Sequence, residues 1–296
     1  MRLFQGFARQ RIETHSASID LLTAGSGPPV LLLHGYPQTR AAWHTVAPEL
    51  AKSFTVVVPD LRGYGASTGP KPDAEGITYS KREMARDFVT VMTELGHHRW
   101  SVAGHDRGGR VAYRMALDHP ERISRLALLD IMTTLDTWEA MDWSAALAAY
   151  HWPFLAQDAA FVESMINHDP AAYLDHLLTR WKGEGFSFHP DAFSDYHRAF
   201  SHPEVIAAHA ADYRAGAGID RVLDAADAER GARIAAPLLV LRGTQYEPRQ
   251  LAPAWRRWTS EVTELSFDCG HFLAEEVPTE VTQALHTHFT GVADSA

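Results

Sequence analysis

The run Gly104-His105-Asp106-Arg107-Gly108 sets a carboxylate between two glycines, at the spacing of a sharp strand-to-helix turn. Trp100 to Ala103 ahead of it is short and apolar, like a buried parallel strand. Behind it, helical spacing continues through Met115 and Leu117. This is the Gly-x-nucleophile-x-Gly pattern of a nucleophile elbow, with Asp where Ser is usual. The glycines let helix and strand approach closely, and the helix N-terminus favours an anion. A Ser would need a base to remove its proton, whereas an Asp is already ionised at neutral pH. Carboxylate attack on a carbonyl would give a reactive anhydride. Attack on a saturated carbon gives an ordinary ester, which water can cleave. The residue type therefore points to displacement of a halide, or opening of a strained epoxide. An Asp at a helix start can also be a simple cap; the paired glycines and the preceding strand favour the nucleophile.

Three further polar groups stand on loops at strand ends: His34 (in His34-Gly35-Tyr36-Pro37), Asp130, and His271 after Gly270 on a late loop. The chain order is nucleophile, acid, histidine, as the α/β-hydrolase arrangement requires. In that arrangement His271 activates the water that cleaves the ester. The backbone N–H groups of Tyr36 and Arg107 form the oxyanion hole. The acid has two candidates. Asp130 directly follows an apolar strand and is favoured; Glu247 lies in the later loop Gly243-Thr244-Gln245-Tyr246-Glu247. Arg107 and Arg110 could bind a second anion, a substrate carboxylate. Their alternative role is a pair of surface salt bridges.

The elements needed to position these groups alternate along the chain. Strands are expected at 18–24, 30–33, 54–58, 101–103, 123–129, 237–241 and 264–267, and helices at 40–51, 79–95, 107–119, 252–258 and 278–289. Between about 137 and 230 the alternation stops, and the sequence is helical and rich in Trp, Tyr, His and Ala. The expected fold is α/β: a mostly parallel, doubly wound α/β-hydrolase sheet with an inserted helical cap. Residues 1–136 and 231–296 would form the core domain and 137–230 the cap. The site should lie outside the carboxyl ends of the strands, beneath the cap.

Composition narrows the partners. The 296 residues carry a net charge of −10, which argues against a general nucleic-acid or anionic-membrane surface. An anionic substrate would need a few local cations. The single cysteine, Cys269, rules out an internal disulfide and fits a reducing compartment. No secretory leader pattern or bilayer-length apolar run is present, so a cytoplasmic enzyme is expected. The 17 histidines do not fall into zinc-binding spacings.

His34-Gly-Tyr-Pro-Gln38, Gly104-His-Asp-Arg-Gly-Gly-Arg110 and Tyr150-His-Trp-Pro-Phe-Leu155 together resemble the haloacetate dehalogenases, over nearly the whole chain. The resemblance implies a cofactor-free hydrolysis of 2-haloacetates. Asp106 would be the nucleophile, with Asp130 and His271 completing the triad. Arg107 and Arg110 would hold the substrate carboxylate. His151, Trp152 and Tyr213 would bind the halide, with Trp181 and His105 lining the pocket. Read without the resemblance, His151 and Trp152 would be ordinary packing residues. Tyr36 and Arg40 are departures from the family pattern expected to reshape the entrance. The resemblance also implies a homodimer. The rival reading is an epoxide hydrolase using the same triad, with Tyr213, Tyr150 or Tyr173 donating a proton to the epoxide oxygen.

Overall fold

The apolar runs pair as one eight-stranded sheet in a computed structural model that describes residues 3–247 and 249–291. The strands are β1 (Ala8–Glu13), β2 (Ser18–Ala24), β3 (Pro29–Leu33), β4 (Thr55–Pro59), β5 (Trp100–His105), β6 (Ile123–Leu129), β7 (Leu238–Gly243) and β8 (Val262–Phe267). Their order across the sheet is β1-β2-β4-β3-β5-β6-β7-β8. The β1–β2 and β2–β4 pairs are antiparallel and every later pair is parallel. The chain runs outward from β3 to β4, then returns to the other side of β3 as β5. That reversal opens a crevice at the carboxyl ends of β3 and β5, the usual ligand position in an open α/β sheet.

Alternation along the strands divides the core between the two faces of the sheet. Leu31, Leu33, Val57, Val102, Leu126, Leu128 and Val240 pack on one face. Val30, Leu32, Val56, Val58, Ala103, Ala127, Leu129 and Leu241 pack on the other. The first face is covered by α2 (Lys81–Glu94) and α3 (Asp106–Asp118), through Met84, Phe88, Val111 and Met115. The second is covered by α1 (Val46–Leu50) and α14 (Pro278–Thr290), through Val46, Leu50, Val281 and Leu285. Burial of each such side chain contributes about 1.5–3 kcal/mol, so the sheet is a rigid base for what stands at its end.

Eight helices lie between β6 and β7: α4 (Thr134–Glu139), α5 (Trp143–Ala148), α6 (His151–Leu155), α7 (Ala159–His168), α8 (Pro170–Trp181), α9 (Pro190–Phe200), α10 (Pro203–Ala217) and α11 (Ile219–Glu229). The first begins at Thr134, inside the stretch expected to belong to the core. Two short helices, α12 (Ala252–Trp255) and α13 (Leu273–Glu276), complete the set. Residues 1–2, 248 and 292–296 of the expected core lie outside the described residues.

Two expectations change. The helix expected at 40–51 is split into a 3-10 turn, Arg40–Trp43, and α1. Pro48 has no N–H and its ring would strike the carbonyl of His44, so a helix can contain Pro48 only in its first turn. The edge strand β1 was not expected. Its residues are mostly exposed and polar, so it lacks a buried apolar face.

Candidate active site

The strand register places the candidate groups side by side. Leu33 pairs with Gly104, His105 with Leu129, and Leu129 with Leu241. The strands β3, β5 and β6 end side by side, so His34, Asp106 and Asp130 leave the sheet next to one another, while β7 continues beside them to Gly243. Asp106 adopts φ 45° and Asp130 φ 59°, the left-handed region that side chains other than glycine seldom enter. At Asp106 this is the sharp turn from β5 into α3. A Cβ on Gly104 would come within 2.5 Å of the Gly108 carbonyl oxygen, and one on Gly108 within 2.3 Å of that of His34. The flanking glycines are thus required by close backbone approach.

The Tyr36 N–H donates to Asp106 Oδ2 at 2.9 Å. Among the described residues no hydrogen bond reaches Oδ1, and none joins the Arg107 N–H to this carboxylate. Burial opposes ionisation of Asp106, but His271, His105, Arg107 and Arg110 together hold it at about 2. His271 Nδ1 lies 2.6 Å from Asp130 Oδ2, while Asp130 Oδ1 accepts the Gly243 N–H at 3.2 Å. Burial would lower the His271 ionisation, but the bond and charge of Asp130, then the charge of Asp106, raise it above the usual imidazole value. Burial pushes Asp130 up. Glu247 also lines the cavity, but its carboxylate is taken by Arg249 at 2.9 and 3.0 Å and makes no hydrogen bond to His271. His105 packs on His271, ring centroids 4.5 Å apart, and burial holds it neutral with a value near 3.

Arg107 and Arg110 occupy different electrostatic positions. Arg107 is fully buried and donates twice to the Asp212 carboxylate, from Nε at 3.1 Å and Nη2 at 2.5 Å. Lys81 also bonds Asp212, as does the Tyr64 hydroxyl. Among the described residues, only Nη1 of Arg107 remains without a partner. The expected pair of free cations is therefore reduced to one. Arg110 is 4% exposed and bonds only neutral oxygens: Met132 carbonyl at 3.2 Å, Thr134 Oγ1 at 3.4 Å and Thr137 Oγ1 at 3.3 Å. No carboxylate forms a salt bridge with it among the described residues. Burial and the neighbouring Arg107 lower its basicity. A buried guanidinium with neutral partners is costly, and an incoming anion would relieve that cost.

Donors without acceptors gather opposite Asp106. His151 Nδ1, Tyr213 Oη and Trp181 Nε1 are buried and have no hydrogen-bond partner among the described residues. His151 packs 4.5 Å from Trp181 and 5.6 Å from Tyr213, measured between ring centroids; Trp152 lies 5.6 Å from Tyr213. Arg110 stacks on Trp152 at 4.3 Å and Arg107 on Tyr213 at 4.2 Å. Burial holds His151 neutral, near 3. A cavity of about 170 Å³ is lined by Asp106, Arg110, His151, Trp152, Trp181 and His271, among others. That is below the roughly 300–1,000 Å³ of pockets for drug-sized ligands, so the space suits a small molecule. Arg40 is not at this entrance. It bonds Asp20 at 2.6 Å, with its N–H on Asp60.

Sequence reading missed Asp212 and Tyr246. Tyr246 lines the cavity and stacks on His271 at 4.3 Å. Asp212 adjoins Tyr213 in sequence, but nothing in the sequence identifies Arg107 as its partner. Tyr150, Tyr173, Tyr213 and, against expectation, His105 are not among the residues lining the cavity; His105 lies behind His271, and the Tyr173 and Tyr213 hydroxyls are buried without a hydrogen-bond partner among the described residues.

Sheet order, inserted helices and an elbow at the end of β5 define the class, and sequence comparison agrees: the alpha/beta hydrolase fold profile matches residues 28–278. The chain belongs to that family. It is 38% identical to a fluoroacetate dehalogenase from Burkholderia sp over 96% of this chain and 94% of the relative. It is 32% identical to a soluble epoxide hydrolase from Corynebacterium sp. (strain C12) over 87% of this chain and 88% of the relative. A crystal structure from Nostoc sp PCC 7120, provisionally described as an alpha/beta hydrolase, superposes with TM-score 0.94 at 45% identity, covering 97% and 99% of the two chains.

Proposed function

We propose that this hydrolase removes halide from 2-haloacetates, giving glycolate. The observation that carries this reading is Arg110, a buried guanidinium beside the Asp106 carboxylate with no anionic partner among the described residues. A substrate carboxylate on Arg110, with help from Nη1 of Arg107, would turn the halogen-bearing carbon toward Asp106 Oδ1. Attack forms an Asp106–glycolyl ester, and the halide leaves with the bonding electrons. His151, Trp152 and Tyr213 supply N–H and O–H donors to replace the hydration of that halide as its charge develops. Water then gives a proton to His271 and attacks the Asp106 carbonyl carbon. The Tyr36 N–H stabilises the oxyanion at Oδ2. The ester bond breaks, His271 returns the proton to the glycolate alkoxide, and Asp106 sheds the remaining proton.

Charge favours the order of events. Asp106 raises the His271 ionisation while it is a carboxylate. Esterification removes that charge, so the imidazole becomes easier to deprotonate when a base is needed. Epoxide hydrolysis is the second reading, favoured by the unpartnered Tyr213 hydroxyl as a proton donor. Parallel assays of fluoroacetate, chloroacetate and styrene oxide, following halide and diol, separate the two. Halide release lost in Asp106→Asn is expected; diol without halide would move the assignment to the epoxide.

The reading includes a homodimer in the cytoplasm. Trp143 and Leu147 on α5 and Phe161 and Met165 on α7 are large apolar side chains left exposed, as expected of surfaces that meet a second copy. Phe161→Asp should shift the sedimenting species toward monomer; an unchanged mass would remove α7 from the interface.

A further inference from the structure

Glu276, the last residue of α13, has no place in the chemistry above, yet its carboxylate accepts three backbone N–H groups. They come from Gly270 at 2.6 Å, Phe272 at 3.0 Å and Gly183 at 2.9 Å. The first two flank His271. The third lies just beyond α8. The N–H of His271 itself donates to the Trp181 carbonyl at 2.8 Å. Three consecutive backbone donors of the histidine loop thus end on Glu276 or on the end of α8.

The backbones nearly touch. A Cβ on Gly270 would come within 2.2 Å of the Gly183 nitrogen, and a Cβ on Gly183 within 2.5 Å of Glu276 Oε2. Both positions need glycine for the clasp to close. A second link, from the Glu184 N–H to Gln245 Oε1 at 2.8 Å, ties the same segment to the loop after β7. Trp181, which contributes the carbonyl, also contributes an indole to the cavity wall.

We propose that Glu276 is a positioning residue that holds the His271 loop and the end of α8 as one unit, so that its loss slows ester hydrolysis but not ester formation. The proposal rests on the reading of Asp106 as nucleophile and His271 as base. Asp130 fixes the imidazole through Nδ1, whereas Glu276 fixes the backbone that carries it. Hydrogen bonds to a charged acceptor are the stronger kind, and three on one carboxylate restrain a short loop effectively. Asp106 is placed independently, by β5, α3 and the Tyr36 N–H. Glutamine at 276 would keep one carbonyl acceptor and turn an NH2 donor toward backbone donors, leaving part of the loop unheld.

The test is rapid-quench kinetics on Glu276→Gln with chloroacetate, following chloride and the mass of the quenched protein. The first equivalent of chloride should appear within about twofold of the wild-type rate. Later turnovers should slow by about 10²-fold, with the glycolyl ester accumulating on Asp106. Unchanged turnover, or chloride release and turnover falling together in a folded variant, would overturn the proposal. Gly183→Ala pushes on the clasp from the α8 side with the carboxylate intact. It should give the same split, and it carries the test if Glu276→Gln does not fold. If the wild type releases no chloride, the haloacetate reading fails by itself. Ester accumulation is then read with styrene oxide, where absence of the split overturns the role of Glu276.

Discussion

In the proposed function, Arg110 is the residue that distinguishes this site from one built for a neutral substrate. Its neutral partners and burial leave a positive charge beside Asp106. Removing one side of a buried charge pair costs about 2–5 kcal/mol. Arg110→Gln should therefore reduce kcat/KM for chloroacetate by about 10²-fold or more, while ester formation with styrene oxide changes little. Equal losses on both substrates would assign Arg110 to the scaffold. The two halves of the reaction should also part with pH. Asp106 stays ionised down to about 2, so ester formation persists in acid. Ester hydrolysis needs neutral His271 and is lost as pH falls through its ionisation. Single-turnover experiments at about pH 4 and about pH 7 should show ester accumulating only at the lower value; parallel loss of both steps would contradict this. The candidates Asp106, Asp130 and His271 were legible in the sequence because Asp106 lies in a turn bounded by glycines, Asp130 directly follows an apolar strand, and His271 stands in a Gly-His-Phe run on a late loop. Asp212, Tyr246 and Glu276 were not, since each acts through a contact whose partner is remote in sequence.

The elbow is the element on which the site depends. Gly108 meets the His34 carbonyl so closely that even a methyl group must push α3 away from β3. Gly108→Ala should lower stability by about 1–3 kcal/mol and activity further, because the same movement shifts Asp106 from the Tyr36 N–H. Urea unfolding measures the first effect, and stability equal to wild type would show that the approach can relax. The central strands were legible as continuous apolar runs because both faces are buried. β1 was not, because an exposed edge strand has no apolar face to reveal it. The break at Pro48 was open to prediction from the missing N–H, but the spacing of Trp43, Val46 and Leu50 hid it.

The whole molecule joins its inserted helices to the sheet through buried polar contacts that composition cannot show. Glu275 is one: it is buried, accepts from Gln38 Nε2 at 2.6 Å and Tyr196 Oη at 2.9 Å, and burial raises its ionisation to about 8. The folded state therefore binds a proton that the unfolded chain gives up at lower pH. That contribution is complete below the unfolded value and fades as pH rises through about 8. Glu275→Gln removes the dependence, so its Tm should gain on wild type between about pH 5 and about pH 9. A constant difference in Tm would show that Glu275 ionises as readily in the folded protein. The broad architecture was legible because alternation of strand and helix stops and then resumes. The boundaries of the eight inserted helices were not, because helices as short as α4, α5 and α6, five or six residues each, do not span enough turns for a 3.6-residue period to show.

The central claim is that Asp106 becomes an ester whose carbonyl, not the substrate carbon, is attacked by water. A single turnover of excess enzyme with chloroacetate in isotopically labelled water tests it directly. The account predicts unlabelled glycolate from the first turnover and solvent oxygen in the peptide that contains Asp106. Label in the glycolate with none in Asp106 would mean that water attacks the substrate directly, and the nucleophilic role of Asp106 would fall.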